Sequence, residues 1–534
     1  MTVAAREERV YPDGRHELTE EASMALSDSS LYNEDLAPVA VERRTWTTYN
    51  YLALWVGMAH NIPTWLLASG LIALGMDWVQ AILTIAVANI VVLVPMLLNS
   101  HAGTKYGIPY PVFARASFGV FGANLPALLR AGVACGWFGI QTWIGGGAVH
   151  LLLGKLLGDG WTNAPHISIG FGAAASQPWT LWLSFLIFWA INIFIVVRGM
   201  ESIRRFENWA APFILVVAVF LLIWMVIQAN GLGPILNESG KVGWGSDFWF
   251  KLFPPALMGM IAFWSTLSLN MPDFTRFGSS QRAQAWGQIL GLPTTMTLFP
   301  LIAVLVTSAT VIVYGTPIWD PVALTAKFDN PFVVIFALFA LSVATLSVNV
   351  AANVVSPSYD FSNLVPKLIS FRTGGIITGI LGIVIMPWNL LATPELYIFT
   401  WLGFYGGATG AIAGVLIADY WWMRRTSLRL AHLYRTEEGE YKYAGGWNWR
   451  AVVALAFGVL IAVGGAYSGL NPDGTPTGPF PQDGVIGILK PFYDYSWVAG
   501  LLGAFLAYLG LNLLSPVTRT VPAEFGTPAT AEMA

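Results

Sequence analysis

The sequence contains little charge for its length. Charged residues make up 11% of the 534 residues, whereas hydrophobic residues make up 55%. A soluble protein carries about 25% charged residues, so a large soluble fold is excluded. The mean hydropathy of +0.61 indicates a polytopic membrane protein. The net charge of −3 provides no basic surface for nucleic acid, and no nucleic-acid partner is predicted.

Cysteine, histidine and known catalytic motifs are also scarce. Cys135 is the single cysteine, so an intramolecular disulfide cannot form. The six histidines show no metal-ligand spacing. The sequence contains no H-E-x-x-H, G-x-S-x-G or P-loop pattern. An enzyme is therefore disfavoured, and no cofactor or protein partner is predicted.

Apolar runs long enough to cross a bilayer recur along the whole chain. Because they are continuously apolar, without a two-residue alternation, they predict helices rather than a barrel. Residues 1–45 are polar, so the first run is predicted to be a membrane span and not a cleaved signal peptide. We predict about twelve transmembrane helices, near residues 50–75, 78–98, 122–153, 179–197, 208–228, 249–270, 287–313, 332–355, 375–391, 394–418, 450–467 and 497–515.

Lysine and arginine predict the orientation of these spans. If the N-terminus is cytoplasmic, most cationic residues fall in cytoplasmic segments. The outside segments then hold Lys155, Lys241, Lys251, Lys327 and Lys490. This asymmetry predicts a multi-pass protein of the cytoplasmic (inner) membrane with both termini in the cytoplasm.

Two predicted spans contain residues that interrupt helices. The first carries Gly57, His60-Asn61 and Pro63, and the sixth carries Gly259 and ends at Asn270-Met271-Pro272-Asp273. Broken helices five spans apart are typical of an inverted repeat of five plus five helices, although proline and glycine are also simply tolerated in membrane helices. The predicted division is a cytoplasmic segment over 1–45, repeats over 46–230 and 231–420, a cytoplasmic loop over 421–449, two trailing helices over 450–515 and a cytoplasmic tail over 516–534.

The third span carries Trp137 and Gln141, which are four residues apart and therefore share one helix face. An indole beside a buried amide can bind a flat polar heterocycle, because the ring stacks on the indole while the amide pairs with its edge. The alternative is that Gln141 joins helices and Trp137 packs between them. The glycines around this pair favour that alternative, because they allow close helix packing.

The eighth span carries Asn349 and Asn353, again four residues apart. Side-chain amides complement lactam and imide edges, and two of them in an apolar span are costly unless they are satisfied. Helix-to-helix hydrogen bonds are the alternative. Together with Gln141 and Asn61 in other spans, the pair favours a ligand site.

The first eight spans contain no convincing acidic residue at the membrane midplane. Asp273 with Arg276, and Asp360 with Lys367, are predicted to lie at the inner ends of helices. A proton pump that depends on a buried carboxylate is therefore disfavoured. His60, beside the first break, is the best-placed titratable group, although a hydrogen bond to freed backbone also explains a histidine there.

The chain resembles the nucleobase–cation symporter family, the permeases for purines, pyrimidines, hydantoins and allantoin, and is similar to its bacterial allantoin- and hydantoin-type members. The resemblance covers about residues 31–515. The matching segments, in order, are Asn33–Pro38, Arg44–Trp46, Gly107–Val112, Ala114-Arg115, Trp137–Trp143, Asn270–Phe274, Asn349–Asn353, Ser356-Pro357, Met386–Trp388, Ala418–Tyr420 and Arg424-Arg425. It implies an all-α membrane transporter with a five-plus-five, LeuT-like inverted-repeat core and two trailing helices.

The resemblance also implies a binding site. Trp137 and Trp264 would sandwich a planar ring, and its polar edge would be bound by Gln141, Asn353, Asn349 and Asn61. The family's sodium site would fall on the carbonyls of Gly57, His60 and Ala344 and on the Ser347 hydroxyl. Two positions depart from the family pattern. Val348 stands where a second hydroxyl is expected, so a proton competes with sodium as the predicted coupling ion, and Phe263 replaces a glycine of the family's hydantoin transporter.

The predicted function is a cation-coupled symporter that imports a small neutral ring amide or ureide, with allantoin as the first choice. Uracil, another nucleobase or hydantoin is the alternative substrate within the same fold. A passive channel is the alternative from a different class. It would need a continuous polar pore, whereas these polar residues cluster at one depth.

Overall fold

The computed structural model describes residues 7–170, 174–198, 215–328, 330–437, 439–470 and 475–514. The predicted tail over 516–534 and the beginning of the predicted fifth span lie outside these residues. The side chains of Ser347 and Ala351 are also outside the description, although their backbone lies within a helix.

The N-terminal segment forms small elements beneath the helix bundle. A two-stranded antiparallel sheet pairs β1 (Glu8–Val10) with β2 (His16–Leu18). Helix α1 (Glu20–Leu26) begins at Thr19, whose hydroxyl accepts from the backbone N–H of Ala22. A single 3-10 turn, Val41–Arg43, then leads to the first span.

The first predicted repeat consists of helices of very different lengths. The first span is divided into α2 (Thr48–Ala59) and α3 (Ile62–Ala73), as its sequence predicts. The other elements in order are α4 (Trp78–Tyr106), α5 (Tyr110–Phe118), α6 (Asn124–Leu157), α7 (Asp159–Thr162), the antiparallel pair β3 (His166–Ser168) and β4 (Ser176–Pro178), α8 (Trp179–Arg198), α9 (Leu215–Gln228) and α10 (Leu232–Leu236).

The second predicted repeat begins with a bent sixth span. A π-type turn (Asp247–Leu252) continues into α11 (Phe253–Ser265), followed by α12 (Leu267–Asn270) and α13 (Pro272–Thr275), and the chain bends by 41° after α11. The other elements in order are α14 (Gln281–Tyr314), α15 (Pro321–Thr325), α16 (Pro331–Asn353), α17 (Val355–Leu364), α18 (Phe371–Val384), α19 (Pro387–Leu390), a π-type turn (Leu396–Leu402), α20 (Gly403–Ile417) and a second such turn (Ala418–Met423).

The C-terminal part contains the last two predicted spans. After a 3-10 turn (Ala431–Tyr434) come α21 (Trp449–Val463), a further 3-10 turn (Gly487–Leu489), α22 (Lys490–Tyr493) and α23 (Ser496–Leu514). Helix α23 packs against α20 and α21.

Helices cover all twelve predicted apolar runs within the described residues. By length and composition, six of the described helices could each cross a membrane, and seven could if the bent sixth span counts as one. The helices over the first, fifth, ninth and eleventh runs are apolar but shorter. The short helix α5 was not predicted, because its nine residues, Tyr110–Phe118, include Arg115 and have no long apolar run.

Local sequence explains where the principal helices begin and end. Asp77 and Gln80 form a reciprocal capping box at the start of α4, with side-chain to backbone distances of 2.8 and 3.0 Å. Gly107 ends α4 with a φ of +71°, a conformation that favours glycine. These signals fix α4 at a length that crosses the bundle.

The core that positions the candidate site is formed by α6, α11, α16 and α20. Helix α6 packs against α16 along its length and also contacts α8 and α18. The glycines of α6 permit this closeness: a Cβ at Gly139 would lie 2.2 Å from the carbonyl oxygen of Gly382 in α18. The glycine-rich stretch therefore does serve close helix packing, as the alternative interpretation of that motif expects.

Candidate functional site

Trp137 lies in the middle of α6 and is buried against the second half of the chain. Its indole Nε1 donates to the hydroxyl of Tyr405 in α20 at 3.1 Å. The Tyr405 hydroxyl in turn donates to the carbonyl of Ala262 in α11 at 2.9 Å. These two bonds hold the indole of Trp137 in a fixed plane between helices of the two predicted repeats.

Gln141, one helical turn after Trp137, has an unmatched hydrogen-bonding group. The residue is 3% exposed, and its Oε1 is buried with no partner among the described residues. A buried acceptor without a partner costs about 1–3 kcal/mol, and such atoms in native proteins require an explanation. An N–H group of a bound ligand, beside the Trp137 ring, would remove that cost.

Trp264 is brought to the same place from the bent sixth span. Its neighbour Phe263 contacts both indoles edge-on, with ring-centroid distances of 5.1 Å to Trp137 and 4.9 Å to Trp264. The Nε1 of Trp264 is buried with no described partner, and its ring packs against Trp55 at 5.2 Å. Phe263, which departs from the family pattern, therefore packs against both predicted stacking residues.

Asn349 and Asn353 lie one turn apart in α16, and they differ in how fully they are bonded. The Nδ2 of Asn349 lies 3.1 Å from both Thr142 Oγ1 and Asn192 Oδ1 and 3.3 Å from the Phe138 carbonyl. Its Oδ1 accepts from the Nδ2 of Asn353 at 3.0 Å. Asn349 is thus satisfied by protein groups, whereas the Oδ1 of Asn353 has no partner among the described residues.

Asn61 and His60 form the break in the first span. Asn61 caps α3, because its Oδ1 accepts from the backbone N–H of Thr64 at 2.7 Å, while its Nδ2 donates to the Met58 carbonyl at 2.5 Å. The Nδ1 of His60 bonds the Val56 carbonyl. Both side chains therefore bind backbone that the break has freed, as expected for residues at a helix end.

The predicted cation ligands lie on α2, at the break and on α16. Gly57 is in α2, His60 ends that helix, and Ala344 is buried in α16. The Ser347 side chain lies outside the described residues. Val348 is buried, and the nearby Thr345 hydroxyl donates to the Leu341 carbonyl at 2.7 Å, so it remains engaged within its own helix.

An apolar cavity of about 360 Å³ adjoins the first break. Asn61 and Ala344 both contribute to its wall, so the start of α3 and the middle of α16 border the same cavity. Its remaining walls are almost entirely apolar and come from α9, α14, α15 and the beginning of α16, through residues such as Val217, Leu221, Phe299, Phe328 and Phe336.

The acidic residues at the end of the bundle that faces the N-terminal segment are more deeply buried than the sequence suggests. Asp360 does not pair with Lys367; instead its Oδ2 bonds Arg130 Nη1 at 2.9 Å, and both side chains are buried. Asp273 accepts from the backbone N–H of Tyr110 at 2.7 Å. Arg130 reaches Asp360 from α6, whereas Lys367, which is closer to Asp360 in sequence, donates to the Ser27 carbonyl at 2.8 Å.

Three further arginines are buried at this end. Arg44 donates to the carbonyls of His16, Val39 and Thr104, and Arg115 donates to the Asn363 side chain. Arg424 bonds Asp419 at 2.7 Å. Burial lowers the pKa of the Arg115 guanidinium to about 10, so it stays charged at neutral pH. We refer to Arg44, Arg115, Arg130 and Arg424 as the arginine layer.

Sequence reasoning missed two residues that shape the site. Asn192 was a detectable signal, because it is a lone amide in the apolar run over 179–197. Tyr405 had no such signal, since tyrosine is ordinary in a membrane helix and its contact with Trp137 depends on the packing of α20. The structure links Trp137 to Trp264 through Phe263, and it links Asn349 to Asn353 and to α6. Gln141 lies one turn after Trp137 in α6, and Asn61 lies at the break in the first span.

The chain is similar to known permeases. Residues 38–500 match the family described as "Permease for cytosine/purines, uracil, thiamine, allantoin". The chain is 42% identical to the allantoin permease of Bacillus subtilis, over 91% of this chain and 94% of that protein. It is 41% identical to a purine-uracil permease of Arabidopsis thaliana, over 82% of this chain and 72% of that protein.

A solved structure of similar fold is that of Mhp1, a nucleobase-cation-symport-1 family transporter, in a closed conformation with bromovinylhydantoin bound. It covers 92% of this chain and 98% of its own, with a TM-score of 0.71 and 25% identity. The predicted fold class, a polytopic helical transporter, is confirmed by this likeness.

Proposed function

The chain belongs to the family of permeases for cytosine/purines, uracil, thiamine and allantoin, and from that premise we propose that it imports allantoin by cation-coupled symport. It is an integral membrane protein. We place it in the cytoplasmic membrane, with both termini in the cytoplasm. The similarity to the allantoin permease of Bacillus subtilis supports this choice of substrate.

One observation carries the proposal at the level of the site. Gln141 presents a buried Oε1 without a described partner, one turn from the fixed indole of Trp137. Allantoin contains a planar hydantoin ring with N–H groups on its edge. The ring can stack on Trp137 while an N–H donates to Gln141, so both a flat surface and an unpaired acceptor are matched.

We assign direct contact to Trp137, Trp264, Gln141 and Asn353. Stacking on an indole contributes about 1–3 kcal/mol per ring and tolerates many rings, so selectivity is expected from the amides. A substrate that leaves a buried amide unpaired is penalised strongly. Asn349 and Asn61 are proposed to stand behind these contacts, because their own amides are already bonded to the protein.

Transport is proposed to use alternating access. The breaks after Ala59 and after Ser265 place helix ends inside the bundle, five spans apart. In such folds the two repeats rock around a central site, and we propose repeats over 46–230 and 231–420. A channel would instead need a continuous polar path, whereas the cavity beside the first break has a wall that is almost entirely apolar.

Uptake of labelled allantoin into cells that express the chain tests the substrate. We expect saturable uptake that allantoin displaces better than uracil, hydantoin, cytosine or hypoxanthine. The Gln141→Leu variant, at matched abundance in the membrane, serves as the control for the site. No allantoin uptake by a chain shown to reach the membrane would overturn the assignment. Uracil, suggested by the Arabidopsis relative, would then be measured as substrate.

Coupling is tested on the same cells. A symporter accumulates allantoin above the external concentration, and an ionophore that dissipates the driving gradient abolishes this accumulation, whereas a channel only equilibrates. Sodium and a proton are the two candidate ions. If a proton is coupled through His60, His60→Gln should flatten the pH dependence of uptake. An unchanged pH profile would remove His60 from the mechanism and leave sodium as the candidate.

A further inference from the structure

We propose that Asn192 and Asn349 are positioning residues, which fix the side-chain amide of Asn353 so that its oxygen, and not its nitrogen, faces the substrate. The site would then recognise an N–H donor at Asn353. This inference rests on the proposed function, because it specifies the chemistry of the substrate edge, but the chain of hydrogen bonds that supports it involves protein groups alone.

The chain begins at Asn192 in α8. Its Nδ2 donates to the carbonyl of Phe188 at 2.8 Å. A backbone carbonyl can only accept, so the nitrogen of Asn192 must lie on that side and its Oδ1 must point the other way. The Oδ1 of Asn192 is 3.1 Å from the Nδ2 of Asn349 and accepts from it.

A second, independent anchor acts on Asn349 from α6. The Thr142 hydroxyl donates its hydrogen to the Phe138 carbonyl at 2.7 Å, so towards Asn349 its oxygen can only accept. The Phe138 carbonyl itself lies 3.3 Å from the same Nδ2. If the Asn349 amide were reversed, its oxygen would face three acceptors. Its orientation is therefore determined by α6 and α8 together.

The orientation of Asn349 determines that of Asn353. With its nitrogen engaged, Asn349 presents Oδ1 to its neighbour one turn later, and the Nδ2 of Asn353 donates to it at 3.0 Å. The Oδ1 of Asn353 is left as an acceptor with no partner among the described residues. Gln141 Oε1 is a second such acceptor. Two unpaired acceptors call for a substrate with several N–H groups, which ureides and lactams have.

A double-mutant cycle on allantoin uptake tests this inference. Asn349→Leu removes the acceptor that holds Asn353, and we expect it to raise KM about tenfold, with the maximal rate largely retained. Asn192→Leu removes one of three anchors and should raise KM about threefold. In an Asn353→Ala background neither substitution should raise KM further, because both residues act through Asn353.

Asn512→Leu is the matched control. Like Asn192, Asn512 is a buried helical asparagine whose Nδ2 donates to the carbonyl four residues earlier, here that of Tyr508 at 2.8 Å. It lies in the trailing helix α23, away from the site. Its substitution should leave KM unchanged. If Asn349→Leu does not reach the membrane, Asn192→Leu supplies the same comparison in both backgrounds.

Competition by hydantoin and its 1-methyl and 3-methyl derivatives measures selectivity, which a purely structural role of Asn349 would leave unchanged. In the wild type, at least one methylated ring should inhibit allantoin uptake about tenfold more weakly than hydantoin does. In Asn349→Leu this ratio of inhibition constants should fall to about threefold, because a freed Asn353 can turn its nitrogen to the ligand. Equal KM effects of Asn349→Leu in both backgrounds, or a lower maximal rate with unchanged KM and selectivity, would overturn the inference.

A ligand-free measurement separates this inference from the proposed function. Melting temperatures of the purified single and double variants should show coupling between Asn349 and Asn353. If the wild type takes up no allantoin, the proposed function fails. The coupling between the melting shifts still tests whether Asn349 holds Asn353. Additive melting shifts would show that Asn349 does not hold Asn353, and the positioning role would be lost.

Discussion

At the end of the bundle that faces the N-terminal segment, the buried arginines and aspartates carry charge and bond other protein groups, whereas the buried polar groups between α6, α11 and α16 are neutral amides. Unbonded side-chain atoms occur in both regions, since Asp360 Oδ1 and Arg130 Nε lack a described partner just as Gln141 Oε1 does. Arg130 and Asp360 bond at 2.9 Å, and Arg424 bonds Asp419 at 2.7 Å. By contrast, Gln141 Oε1 is buried without a described partner, and the Asn353 amide is bonded among the described residues through its nitrogen alone.

The difference between charged and neutral buried groups fits a structural role for the first region and a ligand-binding role for the second. A buried charge is tolerated only with a well-placed partner, so the arginine layer is expected to lock helices and the N-terminal segment together. A neutral amide can remain partly unpaired at a cost of about 1–3 kcal/mol. An arriving ligand can recover that cost, so the open amides are suited to reversible binding and the arginine layer to permanent structure.

Breaking the Arg130–Asp360 pair should have the largest effect. Asp360→Asn removes the anion that Arg130 bonds directly, and removing one partner of a buried pair costs about 3–5 kcal/mol. We expect a marked loss of folded protein and a lower melting temperature in detergent, whereas the KM of the remaining transporter should not change.

The pair formed by Asp247 and Lys251 at 2.7 Å provides the control, because both of its side chains are more than two-thirds exposed. Lys251→Ala should leave the melting temperature within experimental error, since exposed pairs contribute little. A wild-type melting temperature for Asp360→Asn would show that the arginine layer is not structural, and the comparison between the two regions would fail.

Removing the Trp137 ring should have the next largest effect, and this effect should be on KM, whereas that of Asp360→Asn is on stability. Trp137→Ala deletes the stacking surface, and a loss of about 1–3 kcal/mol corresponds to roughly a 5- to 150-fold rise in KM for allantoin. Trp137→Phe should recover much of it. Trp422→Ala, at an exposed tryptophan, controls for the loss of an indole as such. A normal KM in Trp137→Ala would remove this residue from the site.

Gln141→Leu should have a smaller effect. It deletes an acceptor that the protein itself does not use, so the folded state loses no hydrogen bond and melting should be unchanged or slightly improved. Binding should weaken by about 0.5–1.5 kcal/mol, or roughly 3- to 10-fold in KM. Gln177→Leu, in strand β4 away from the site, should change neither quantity. Destabilisation with an unchanged KM would identify Gln141 as a structural link between helices.

Much of this contrast could be predicted from the sequence. Apolar runs locate the helices, because a bilayer demands long apolar segments, and His60-Asn61-Pro63 locates the first break, because those residues cap and interrupt helices. Trp137, Gln141, Asn349 and Asn353 stand out as polar or aromatic residues at helical spacing. The family resemblance adds Trp264, which the structure links to Trp137 through Phe263.

The partners of these residues could not be predicted. Asp360 bonds Arg130, 230 residues away in sequence, and the choice between Arg130 and Lys367 depends on how α6 packs against α17. Likewise, three amide residues of α6 and α16, Gln141, Asn349 and Asn353, show similar patterns in sequence, yet Asn349 is fully bonded and Gln141 is not. Only the distances distinguish the amide that supports the site from the amide that is open.

Val348→Thr should produce the smallest change, and it tests how the cation is held. Val348 lies where the family pattern expects a hydroxyl, four residues after Ala344, whose carbonyl is a proposed ligand. Threonine has nearly the shape of valine, and its hydroxyl can donate to the carbonyl four residues earlier while its lone pairs face a cation. Sodium binds oxygen ligands, so one more oxygen should increase the stimulation of uptake by sodium, by at most about threefold.

Val350→Thr is the control. Val350 is a buried valine of the same helix, so its substitution makes the same chemical change outside the predicted ligand set and should leave the sodium stimulation unaltered. If Val348→Thr responds to sodium no more than the wild type, the break and α16 do not form a sodium site of the family kind, and proton coupling becomes the better explanation of transport.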